Sequence, residues 1–163
     1  MIDEPQLRRE LDAAQDRLNQ AGRDRLWRAG VGIEAECRAG GLGIERIMAD
    51  GHTYMPVPHG QPALIVPVYA GPPPSLYVGE LDTPLRDLVA LRTHEPDVWW
   101  RRIGEPFAVL GIEQLERACD DADSLRLHPH PLSWLQSACE GVCLLDWLEA
   151  CAMAGAEEAR EAA

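Results

Sequence analysis

Two apolar runs separated by a proline-rich excursion constrain this chain more than any other feature. Residues 63–69 (ALIVPVY) and 85–91 (LRDLVAL) are dense in aliphatic and β-branched side chains. Such runs suit a pleated surface buried on at least one face. Paired antiparallel, they make the centre of a sheet that flanking helices can cover. The connection between them carries Gly71-Pro72-Pro73-Pro74, too short for an interdomain linker and suited to a rigid extended loop. A short strand is expected after it, near residues 76–78. Beyond the second run, Pro96 suits a helix start, and Trp99-Trp100-Arg101-Arg102 reads as one or two helical turns. A chain of 163 residues is long enough for one real core. The expected fold is α+β: a single domain over residues 1–163, with a small, mainly antiparallel sheet flanked by helices.

The first 30 residues hold an amphipathic helix, read from Pro5 to Arg28. Leu7, Leu11, Ala14 and Leu18 recur at steps of three and four, with charges on the other faces, and Gly30 stops the helix. The apolar stripe is narrow. That predicts packing on an edge or on a second copy, hence a homodimer through this helix. Residues 31–57 change to short alternating segments at 32–37, 43–49 and 52–57, broken by Gly40-Gly41 and Asp50-Gly51. Asp-Gly between two such runs predicts a two-residue hairpin turn. Further on, helices are expected over 112–119, 131–138 and 146–154, a buried strand over 142–145, and a frayed Ala/Glu-rich tail over 155–163.

Composition narrows the function. All 15 basic residues are arginine, and the net charge is −12. Residues 1–102 carry 15 acids against 12 arginines, whereas residues 103–163 carry 12 against 3. An acidic C-terminal third repels phosphate backbones, which argues against direct nucleic-acid binding. No run approaches the roughly 18–20 apolar residues needed to cross a bilayer, and the N-terminus lacks the pattern of a signal peptide. Five cysteines without framework spacing fit free thiols in a reducing cytoplasm. No cofactor is implied.

Several residue groups carry side chains with chemical potential. His128, His130, Cys139 and Cys143 are four zinc-type donors. However, the His-x-His spacing is short for a structural site and Gly141 interrupts the cysteine pair, so small core cysteines beside loop histidines explain the pattern better. The cluster Asp120, Asp121 and Asp123, with Glu80, Asp82 and Asp87, can in principle hold magnesium, but it follows a helix and reads as a solvated turn. Cys37, Cys119 and Cys151 lack a nucleophile context. Trp99, Trp100, Arg101 and Arg102 form the strongest binding candidate, because Trp and Arg dominate interface energetics. Adjacent tryptophans on a helix diverge by about 100°, so one is expected in the core and the other at an interface.

The phrases PALIVPVY, LRDLVAL, PDVWWRRIGEPFAVLG and HPLSWLQSACEGVCLLD follow one another between residues 62 and 147. In this order they resemble a group of uncharacterised proteobacterial proteins from prophage and plasmid regions. The resemblance implies a mobile-element setting and brings no activity. The function expected from all this is a non-enzymatic accessory protein that binds another protein. One version is an inhibitor of a host defence complex, whose acidic face (Asp120, Asp121, Asp123) occupies a basic, nucleic-acid-binding groove on its target. A metal-dependent enzyme of nucleic-acid metabolism and a structural subunit are the alternatives.

Overall fold

The computed structural model describes residues 1–74, 82–118 and 124–146. Five strands close into a barrel: β1 (Gly43–Asp50), β2 (Thr53–Pro56), β3 (Gln61–Tyr69), β4 (Leu85–Arg92) and β5 (Glu95–Arg101), in the order β1-β2-β5-β4-β3. The two apolar runs are β3 and β4, paired antiparallel from Leu64↔Leu91 onward, as their composition predicts. Asp50 and Thr53 face each other across Gly51-His52, so the Asp-Gly turn also forms, with Gly51 at φ +59°. All barrel pairings are antiparallel except β2 with β5, which meet through one parallel pair, Thr53↔Arg101.

Both faces of β3 and β4 are buried, which is why their sequences read as continuous apolar runs. Ala63, Ile65, Leu88 and Ala90 pack on one side with Leu7, Leu11 and Ala14 of helix α1 (Glu4–Arg17). Leu64, Val66, Val89 and Leu91 pack on the other. There they meet helices α2 (Gln20–Arg28) and α3 (Ile33–Arg38), helix α5 (Pro131–Gln136), and a second sheet. That sheet has the order β6 (Val109–Leu110), β8 (Val142–Leu144), β7 (Leu127–His128). Helix α4 (Ile112–Arg117) follows β6. The chain is one α+β domain with a mainly antiparallel sheet flanked by helices.

Three expectations are corrected. The helix read over residues 5–28 is two helices, because Asn19 caps a new start by accepting a hydrogen bond from Gly22 N (3.0 Å). The break lets α1 cover one face of the barrel while Leu26 of α2 joins the core on the other. Residues 32–37, read as an alternating segment, form α3: Ala35 and Ala39 are buried one turn apart, and Glu34 pairs with Arg38 at 2.8 Å. Six residues are too few to separate a period of 2 from one of 3.6. Third, Leu7, Leu11 and Leu18 are 1%, 4% and 3% exposed, so the stripe offered to a second copy is already covered by this chain's own barrel. Gly43 makes that approach possible, since a Cβ there would lie 2.6 Å from the Cβ of Ala14. The strand expected near 76–78 and the helix and tail expected from 147 onward lie outside the described residues.

Candidate functional site: the cleft beside strand β5

The residues from Trp99 to Arg102 are where the structure departs furthest from helical expectation. They form no helical turn; Trp99, Trp100 and Arg101 end β5, and Arg102 follows it. β4 is buried on both faces and its backbone donors need a partner, which the chain supplies by turning at Thr93-His94 and returning. Pro96 sits in the irregular stretch between the pairs Arg92↔Glu95 and Leu91↔Trp99, where a missing N–H is tolerated.

Strand geometry sends alternate side chains to opposite faces. Trp99 joins the cluster on one side of β4, and its Nε1 donates to Leu145 O at 3.2 Å. Trp100 joins the cluster on the α1 side and carries the Arg92 guanidinium 5.1 Å above its ring. Each tryptophan is half-buried, so the division into one core and one interface residue is replaced by one for each core.

The two arginines are bound within the chain. Arg102 grips Glu10 of α1 with two hydrogen bonds of 2.7 and 3.0 Å. Arg101 is 4% exposed and enters a buried network. Its Nε and Nη2 donate to Asp87 Oδ2 at 3.1 and 2.9 Å, Nη1 donates to Asp146 Oδ1 at 2.9 Å, and Nη2 also donates to Glu105 O. Asp87 is fully buried and also accepts from the backbone N–H groups of Leu88, Ile103 and Gly104 at 2.8, 2.9 and 3.0 Å. Asp146 Oδ2 holds Phe107 N at 2.9 Å, at a backbone φ of +60° that L residues rarely adopt. Neither arginine is therefore free to anchor a partner. Asp87, weighed in the sequence as a magnesium ligand, is the keystone of this ion pair instead. The sequence signal for it was an acid in the middle of an otherwise apolar strand.

The network floors a cleft of about 390 Å³, lined by Gly51 and His52 of the β1–β2 turn, residues 97–101 of β5, Gly104, Leu145 and Asp146. Five consecutive residues of β5 line it because β2 begins only at Thr53. Along the rest of β5 no described strand pairs with that edge. Arg101 N donates outward to His52 O, whereas Arg102 N donates inward to Leu88 O. By alternation, Trp100 faces β4 and the main-chain N–H and C=O of Trp99 face the cleft. Asp97 is exposed beside it, and Asp146 is 33% exposed at its rim. The Trp99 indole and two carboxylates beside an edge that no described strand pairs are suited to hold a cation on an extended chain. A second cleft, about 500 Å³ between α2 and α3, lies beside Trp27 and Ile33, which are 77% and 67% exposed.

The remaining candidates have local roles. Asp120, Asp121 and Asp123, like Glu80, Cys119 and Cys151, lie outside the described residues. His130 caps α5, its Nδ1 accepting from Ser133 N at 3.0 Å. Cys139 Sγ meets Ala35 O at 3.5 Å, and Cys143 is fully buried in β8. Among the described residues no three His, Cys, Asp or Glu side chains cluster as metal donors. Ser137 Oγ lies 3.1 Å from His128 Nε2, an arrangement that resembles half of a catalytic pair. The same nitrogen lies 2.7 Å from Glu140 O, a group that only accepts. Nε2 therefore carries the proton, and it is not available as a base for the serine.

Burial pushes the Cys143 thiol up to about 12 and the Cys139 thiol further still. Both are therefore neutral and inert at ordinary pH. Alkylation of the native protein at pH 8 should leave them unmodified while half-buried Cys37 reacts. Peptide mass mapping reads the result, and rapid labelling of Cys139 would show that the α3–α5 contact opens.

Fold and cleft together define a small α+β barrel domain in which one strand edge, beside acidic and aromatic side chains, is paired by no described strand. Comparison with protein-family models, with curated proteins and with solved structures returned no match for this chain. No helix among the described residues is long and apolar enough to cross a membrane.

Proposed function

We propose that this protein is a non-enzymatic accessory protein of a mobile element that acts by binding another protein through a basic surface. The observation that supports this reading is the acid-lined cleft, where Asp97 and Asp146 flank the open edge of β5 beside Trp99 and Trp100. The one arginine among the described residues that line it, Arg101, is already paired with Asp87 and Asp146. A cleft of this sign attracts lysine or arginine side chains and repels phosphate. In the concrete form of the proposal, the partner is the nucleic-acid-binding groove of a host defence complex, and occupying it excludes the nucleic acid.

The test is kinetic. The partner is identified by cross-linking in the native host and purified, and binding rates are measured from about 0.1 M salt upward. Charges are screened beyond about 10 Å at 0.1 M, so raising salt severalfold should slow association by an order of magnitude and change dissociation far less. Asp97→Asn should act in the same direction, as should joint replacement of Asp120, Asp121 and Asp123 by Asn. Association that ignores both salt and these substitutions would overturn the proposal. Loss on Trp99→Ala alone, chiefly in dissociation, would point to an apolar contact instead.

A further inference from the structure

We infer that the open edge of β5 accepts an extended basic segment of the partner as an added strand. In this arrangement Trp99 supplies the main-chain hydrogen bonds, and a lysine or arginine of the segment enters the cleft between Asp97 and Asp146. This rests on the protein-binding reading and specifies how its site works.

The geometry behind it is the incomplete closure of the barrel. β2 and β5 meet at a single pair, and immediately before it the chain turns away at Gly51-His52 into β1. The lane that a longer β2 would fill, alongside residues 97–100, is the cleft itself. By alternation Trp99 N–H and C=O point into that lane, where no described strand pairs with them. A buried or half-buried backbone pair of this kind is satisfied most economically by another backbone, which is the basis of recognition by strand addition.

Three features decide what kind of strand fits. Pro96 has no N–H to give, and the register irregularity around it bends the edge, so only a short segment can pair. The same features discourage edge-to-edge pairing of two copies, as does the exposed charge of Asp97. The side chain of the added strand that points into the cleft meets the carboxylates of Asp97 and Asp146 beside the Trp99 indole, a combination that favours a cation over an apolar or acidic group. The occupant is accordingly a basic extended segment of another protein, with a second copy of this chain as the alternative that the test excludes.

The probe is a set of nine-residue synthetic peptides alternating threonine and valine around a central arginine, with the flanking residues varied. Binding to the full-length protein is followed by amide NMR. The expected result is binding that weakens at least about tenfold when the central arginine becomes glutamate, and similarly on Asp97→Asn in the protein. N-methylation of one alternate set of peptide amides should weaken binding about tenfold, whereas methylation of the other set should leave it unchanged. Exchange of the Trp99 amide with solvent should slow at least tenfold at saturation. Binding indifferent to both methylation sets, with Trp99 N–H still exchanging freely, would overturn strand addition while leaving a basic partner in place. So would failure of every peptide to bind while the purified partner still binds in a salt-dependent way. A concentration-dependent dimer that protects the Trp99 amide without peptide would overturn it in favour of self-pairing.

Discussion

Asp87→Ala is expected to destabilise the domain by about 3–5 kcal/mol, the usual cost of breaking a buried ion pair by removing one partner. The substitution leaves the Arg101 guanidinium, itself 4% exposed, without its main counter-charge. It also orphans the backbone N–H groups of Leu88, Ile103 and Gly104, which hold the chain as it leaves β5. Arg101→Met should cost a similar amount, since it strands the Asp87 carboxylate. The double substitution should be milder than the sum of the two by about 2 kcal/mol, because removing both charges spares the desolvation penalty that each leaves behind alone. Full recovery is not expected, because the three backbone donors remain unpaired in the double variant. Urea unfolding of the four proteins measures this coupling. Strict additivity would mean that Asp87 and Arg101 act independently, and the structural account of the cleft floor would fall. The effect reaches the cleft as well: the same arginine fixes Asp146, and Asp146 in turn fixes Phe107.

Leu11→Asp combined with Leu18→Asp should unfold the protein rather than convert a dimer to a monomer. Leu11 packs in the core that α1 forms with the barrel, and Leu18 packs in the core on the other side. Truncating a buried leucine costs about 2–5 kcal/mol before any charge is added. Placing a carboxylate in its position adds a desolvation penalty that the apolar neighbours cannot offset. Two such changes approach the whole stability of an ordinary domain, about 5–15 kcal/mol. Loss of far-UV circular dichroism and of a sharp size-exclusion peak is the expected outcome. A folded, monomeric double variant of a dimeric wild-type protein would instead make the leucine stripe an interface.

Much of the barrel was legible because the relevant signals are local. Leu64, Ile65, Val66 and Val68 announce a strand buried on at least one face, which the structure shows to be both, and Asp50-Gly51 announces a tight turn. The α1/α2 break was also present in the text, as Asn19 three residues before Gly22, but the leucine spacing on either side masked it. The cleft was half legible. Trp99 and Trp100 stand out in the sequence, and the argument that neighbouring tryptophans cannot share one core holds on a strand, where they diverge even more than on a helix. Asp97 and Asp146, which give the cleft its sign, lie 49 residues apart and share no pattern in the sequence.

The α+β class, the two central strands and their flanking punctuation follow from local pattern, because periodicity and turn chemistry act between residues a few positions apart. What Trp99 to Arg102 become depends instead on contacts made across the folded chain. Four residues with no clear period take whatever conformation their neighbours require, and here β4 required a partner for its backbone. Once β5 formed, alternation sent Arg102 to Glu10 and Arg101 to Asp87 and Asp146, partners 92, 14 and 45 residues away. Those pairings are set by where the folded chain brings carboxylates together, and no local rule of sequence encodes it.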